Sequence, residues 1–349
     1  MDKSTIFPIN RLNQRVTEKF SSIISADILG NINKGLKSEI KLADQGTNIT
    51  DIARADNDTL EGGAYVTISA AFMQYVWLLA DSALKEVDLT IIRNEFAKNG
   101  VDYRLYPVMV DLISSMPKDE IVRLGNTPKD FDVDKYIDYL KRSKPLFDTE
   151  LHERKISMNA SLMSRLTTQG EVFSEADFAE IDLNGKYEEV VNGAYTYSIV
   201  FVALHELSHF ALGHLDITPE QKANETEAER KEDEHNADMN AFWAVYSDLE
   251  GGEQFTAIIG IFCLLFALLM LNDNLEDDSS HPRKDQRIFD IYDQVKGDNP
   301  KYTVLLVRMF NMWATKWNIK GFPEITDDSE SSLDSIRVFL DSYVTDKSC

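Results

Sequence analysis

Ile199-Val200-Phe201-Val202-Ala203-Leu204-His205-Glu206-Leu207-Ser208-His209 is the stretch on which the reading of this chain turns. Six apolar residues run directly into H-E-L-S-H. The segment Tyr187 to Leu212 reads as a strong apolar helix with Gly213 as its stop signal. On a helix, His205 and His209 stand one turn apart and point the same way, so both imidazoles can bind one metal. Glu206 lies beside them, placed to take a proton from a metal-bound water. Two histidines and a glutamate at the end of such a run would be costly in a core unless something used them. The bland alternative is a solvated helix end with two incidental histidines.

A catalytic zinc needs a third protein ligand and an open position for water. Glu234-His235-Asn236-Ala237-Asp238 has the pattern of a second active-site helix. In that reading Glu234 binds the metal, and Asp238, one turn on, accepts a hydrogen bond from a ligand histidine. Ala237 lets the two helices pack closely. Glu229 and Asp233 have the same spacing and are the rival pair, in a charged run expected to face solvent. His235 points off the face of Glu234 and is read as a bystander. A third histidine six residues after His209 is absent, because that position is Leu215; His214 is one residue short. His281-Pro282 and Arg287 follow later. A further His or Arg in a zinc peptidase can stabilise the oxyanion of the tetrahedral intermediate.

The chain has 349 residues, enough for one large domain or two ordinary ones, and apolar residues make up 43% of it, which argues against disorder. The net charge of −23 disfavours nucleic acid and anionic lipid as partners by simple electrostatics. Two cysteines, Cys263 in an apolar run and Cys349 at the end, suit a reducing compartment. Met1 to Phe20 carries no apolar signal-peptide core. The expected location is therefore the cytoplasm. Phe255 to Leu271 is uncharged over 17 residues, which is the short edge of membrane-spanning length. Its flanks are acidic, with no Lys or Arg to set an orientation. A buried core helix is the favoured reading, and membrane association through 255–271 the alternative.

Residues 1–45 read mainly as helix. Asn48 to Ala53 and Ala64 to Ile68 read as short strands, separated by turn-rich Asp56-Asn57-Asp58 and Gly62-Gly63. Ala70 to Leu84, Glu234 to Leu249, Gln286 to Val295 and two C-terminal stretches around 302–316 and 331–344 read as helices. The fold class expected is α+β, mostly helical, with a small antiparallel or mixed sheet. The organisation expected is an N-terminal extension over 1–60, a core over 61–300 and C-terminal helices over 301–349, packed as one compact unit.

The motifs together resemble the Lit family of phage-exclusion peptidases, which are similar to gluzincin metallopeptidases. The likeness rests on His205-Glu206-x-x-His209 with His214 five residues on, Glu234-x-x-Ala237-Asp238, His281-Pro282 with Arg287-Ile288, and Tyr65 to Trp77, over about residues 64–292. The resemblance implies a zincin-like core around the helix that carries H-E-x-x-H. It implies Zn²⁺ held by His205, His209 and Glu234, Asp238 behind a ligand, Glu206 as general base, and His281 with Arg287 at the oxyanion. It also implies an edge strand near Tyr65 along which the substrate peptide lies. Asn236 departs from the family's acidic residue beside Ala237-Asp238. The activity implied is conditional cleavage of elongation factor Tu, triggered by a phage-derived protein or peptide. Two other classes stay open at the level of sequence: a metal-stabilised regulatory or binding protein without turnover, and a membrane-embedded zinc peptidase.

Overall fold

In the computed structural model of this chain, the run Ile199–Leu204 lies within a 26-residue helix, Lys186–Ala211, and is buried on every side. That helix, α6, is the element against which much of the fold is built. In chain order the elements are α1 (Ile9–Ile24), β1 (Ile40–Ala43), β2 (Ala53–Asp58), β3 (Gly63–Ser69), α2 (Ala70–Lys98), α3 (Tyr106–Ser115), α4 (Lys118–Leu124), α5 (Thr149–Gln169), a 3-10 turn at Glu175–Phe178, α6, α7 (Glu227–Tyr246), α8 (Gly251–Met270), α9 (Lys284–Val295), α10 (Pro300–Lys316) and α11 (Ser329–Lys347). The structure describes residues 8–24, 40–43, 49, 52–58, 63–98, 106–124, 133–135, 137, 149–169, 172–178, 186–214, 220, 224–275 and 281–347. Leu215 and Cys349 lie outside them.

The chain is mostly helical. Three short strands form a sheet in the order β1-β3-β2, with β1 parallel and β2 antiparallel to β3. Strand β3 is therefore central, which corrects the expectation that the strand near Tyr65 is an edge. The edges are β1 and β2, and β2 packs on α6. Asp56-Asn57-Asp58 is ladder rather than turn, opposite Tyr65, Ala64 and Gly63. Turn-favouring residues are overridden here because pairing with β3 supplies their backbone hydrogen bonds. The same pairing turns Ile40–Ala43, within a stretch read as helix, into β1.

The chain divides into two compact units, one of Met1–Ala83 with Asn159–Cys349, the other of Leu84–Met158. In the first, α1, α7 and α8 all pack on α6. Helices α6 and α8 approach so closely at Gly260 that a Cβ there would collide with the carbonyl oxygen of Ala194. Ser198 Oγ donates to the Gly260 carbonyl across this contact at 2.6 Å. Thus the glycine inside the apolar run marks a helix crossing. Helix α8 is long and apolar enough to cross a membrane, yet Ala257 through Ala267 are buried within the fold. Its outer layer is α9 and α10, with Phe310 of α10 packed on Phe266 and Phe289. Trp77 of α2 donates from Nε1 to Asn192 of α6 at 3.0 Å, and Asn159 of α5 donates to Asp81 at 2.7 Å. These buried polar links fix helix register. In the second unit Val110 and Ile121 are buried, Arg93 pairs with Glu153, and Val108, Met109 and Leu112 of α3 are exposed.

Candidate metal centre

Three helices of the first unit deliver the site. Helix α6 brings His205, Glu206 and His209 at its last turns. Helix α7 crosses it with Ala237 and Ala241 fully buried, small side chains that permit close approach. A polar clamp holds the crossing: Asn240 donates to Ser208 Oγ at 2.9 Å, and Ser208 Oγ donates back to the Leu204 carbonyl at 2.7 Å. Helix α7 starts at Glu227, seven residues before the predicted Glu234. The reason is a capping box, in which Thr226 Oγ1 accepts from the Glu229 amide while Glu229 receives the Thr226 amide at 2.8 Å. That signal, T-x-x-E, is legible in the sequence at Thr226 to Glu229. It also accounts for Glu229, whose carboxylate caps the helix at Thr226.

Glu234 faces both histidines. Its Oε2 is 3.3 Å from His205 Nε2, and its Oε1 is 3.5 Å from His209 Nε2. The two Nε2 atoms are themselves 3.4 Å apart. One ligand atom from each of His205, His209 and Glu234 lies within 4.8 Å of the others. Glu234 Oε2 is buried and makes no hydrogen bond. A buried carboxylate oxygen without a hydrogen bond is expensive unless a cation takes that place. Two imidazole nitrogens and one carboxylate oxygen, converging on one point, fit a zinc ion.

Behind His205 stands Asp238, with Oδ1 at 2.9 Å from Nδ1. Asp238 is 3% exposed and Arg287, from α9, is 8% exposed. Arg287 grips the carboxylate with two bonds, Nε to Oδ2 at 2.7 Å and Nη2 to Oδ1 at 2.8 Å. The structure therefore differs from the sequence reading of Arg287 as an oxyanion partner: its fork is turned to Asp238, at the back of a ligand. His281 stands on the other side, with Nε2 at 3.4 Å from Glu234 Oε2 and its side chain about a third exposed. Glu206 is half-buried at the same end of α6. His235 pairs with Asp290 at 3.1 Å, off the cluster.

The electrostatics follow from this crowding. Burial works against charge on His205, but Asp238 and then Glu234 outweigh it, and the imidazole rises to about 9. His209 falls to about 4, through burial first and the charge on His205 second. Burial opposes charge on Asp238 as well, yet Arg287 and His205 hold its carboxyl well below the usual carboxylate range. Glu234 is lowered too, by His205 against the effect of burial. Both carboxylates thus stay ionised, ready to serve a cation and its ligand. A metal at His205 competes with a proton there, so its binding weakens as pH falls.

Two imidazoles and a carboxylate at the crossing of α6 and α7, backed by an Asp-Arg pair, make a donor set suited to a divalent metal. Residues 66–307 match the model of the Peptidase U49 family, and the chain belongs to that family. It is a peptidase, and all of His205, Glu206, His209, Glu234, Asp238, His281 and Arg287 fall within the matched span. No curated protein and no solved structure matches the chain.

Proposed function

We propose that the protein is a zinc-dependent endopeptidase of Lit type, with a zincin-like core, in which His205, His209 and Glu234 hold the metal. The single observation that carries this reading is the convergence of those three donors within 4.8 Å, with Glu234 Oε2 buried and without a hydrogen bond. Bound there, zinc would polarise the scissile carbonyl and acidify the attacking water. Glu206 accepts the proton of that water and delivers it to the leaving amine. His281, partly open to solvent beside Glu234, is the group available to the developing oxyanion. Arg287 acts through Asp238, which orients His205 so that its Nε2 faces the metal. Among the described strands β2, which packs on α6, is an edge along which an extended peptide would lie.

The substrate proposed is a host translation factor, elongation factor Tu, and the trigger a phage-derived protein or peptide. Support for both comes from the Lit resemblance, which covers nearly the same stretch as the family match. The setting proposed is the cytoplasm, on the ground that a chain with two cysteines suits a reducing compartment. The test is purified protein with zinc, elongation factor Tu and extract from phage-infected cells, read by mass spectrometry for new termini. Cleavage should need zinc, and Glu206→Gln should keep the metal while losing cleavage. Cutting that survives chelation, or full cutting by Glu206→Gln, overturns the mechanism.

A further inference from the structure

His214 lies just past the end of α6, and the backbone there turns it back on the helix. Gly213 takes φ +79°, a left-handed conformation that a side chain would strain. The His214 amide donates to the His209 carbonyl at 2.9 Å, and the Gly213 amide to that of Phe210 at 3.2 Å. This pair of bonds is the Schellman ending of a helix. It lays the imidazole of His214 against that of His209, Nδ1 to Nδ1 at 3.0 Å. The other nitrogen, Nε2, meets Asp233 Oδ1 at 3.2 Å. Asp233 belongs to α7 and immediately precedes Glu234.

One arrangement of protons satisfies this chain of contacts with neutral imidazoles. Asp233 as a carboxylate only accepts, so His214 carries its proton on Nε2 and leaves Nδ1 as an acceptor. His209 then donates from Nδ1, and its Nε2 keeps the lone pair that faces Glu234 and His205. On His205 the corresponding place, 2.9 Å from Nδ1, is taken by Asp238 Oδ1, with Arg287 bonded to the same carboxylate. Each of the two imidazoles thus has its own pair of residues at Nδ1, with the carboxylate of each pair on α7.

We infer that His214 is a positioning residue, which holds His209 at Nδ1, with Asp233 as its own anchor, so that His209 presents Nε2 to the metal. The inference rests on the zinc reading of the site. It assigns a task to the five-residue spacing from His209 to His214: it is the interval at which a glycine-ended helix returns a side chain to its own last turn.

The experiment measures zinc affinity of the whole chain by competition with a chromophoric chelator, alongside the visible spectrum of the cobalt-loaded protein. The variants are His214→Ala, His214→Asn, Asp233→Asn and His205→Ala, each checked for folding by circular dichroism. Loss of a group behind a metal ligand lowers affinity about 10–100-fold. His214→Ala should show that loss with one zinc still bound, and a shifted cobalt spectrum. His214→Asn, whose amide replaces the Nδ1 contact, should recover most of it, and Asp233→Asn should fall between. A wild-type affinity and spectrum in both His214→Ala and Asp233→Asn overturns the inference. Complete loss of zinc in His214→Ala, matching His205→Ala, also overturns it by making His214 a ligand. A wild-type protein that binds no zinc defeats the zinc reading itself, a result that is distinct from either.

Discussion

Replacing Arg287 with Met removes the guanidinium from Asp238 while filling a similar space, and the size of the effect can be bounded. Asp238 is 3% exposed and would keep His205 as its remaining partner. Breaking a buried ion pair from one side costs about 3–5 kcal/mol, because a charge is left without compensation. Protonation sets a ceiling on that cost. Neutralising an aspartate of ordinary pKa costs about 1.4 kcal/mol per pH unit, or about 4 kcal/mol at pH 7. The metal-free variant should therefore be at least about 3 kcal/mol less stable at pH 7, since the stabilisation that Arg287 gives the wild-type carboxylate is lost as well. At pH 5 the same ceiling is only about 1.5 kcal/mol. In the wild type the Asp238 carboxyl lies well below the usual range, so its stabilisation is present above the unfolded pKa and is lost only at strongly acidic pH. In the variant that pKa rises, and stability declines as pH climbs from 4 to 7. The gap between the two proteins must widen from pH 5 to pH 7. Urea unfolding in chelator, followed by fluorescence and circular dichroism, measures it. A gap below about 1 kcal/mol at both pH values would falsify the claim that Arg287 compensates a buried charge.

Further outcomes follow from other contacts. Gly260→Ala should lower the thermal midpoint, since overpacking costs about 1–3 kcal/mol and exceeds the gain of about 1 kcal/mol from helix propensity; a stabilised variant contradicts the close α6–α8 approach. Thr226→Ala should cost about 1 kcal/mol in stability and leave the zinc content unchanged, whereas Glu234→Ala should lose the metal; metal loss in Glu229→Ala would reverse the assignment of ligand. Cys263 is fully buried, and burial pushes its thiol up to about 12. In a Cys349→Ser background it should therefore resist thiol reagents at pH 8 until the protein unfolds, and prompt labelling of the native state would refute that burial.

The helix that carries H-E-x-x-H is legible in the sequence because its two signals reinforce each other. The apolar run Ile199–Leu204 demands burial, and the i, i+4 spacing puts His205 and His209 on one face. The pairing of Glu234 with Asp238 was also legible from spacing. The strands were read less well. Asp56-Asn57-Asp58 has turn composition, and only the neighbouring β3 makes it a ladder. The insertion of Leu84–Met158 as a separate unit had no marker in composition, since its helices look like any others. Arg287 was seen as a functional residue, but its partner could not be seen, because 49 residues separate it from Asp238.

By itself, then, the sequence picked out the candidate site residues: H-E-x-x-H on an apolar helix, a carboxylate pair on the next, a His and an Arg beyond. Local spacing suffices for that, because a helix fixes which side chains share a face. Only the tertiary structure set Glu234 rather than Glu229 beside His205 and His209, turned Arg287 toward Asp238, and brought Asp233 behind His214. Those choices depend on how α6, α7 and α9 cross, and the crossing is set by small residues, caps and buried polar clamps acting over long separations in the chain.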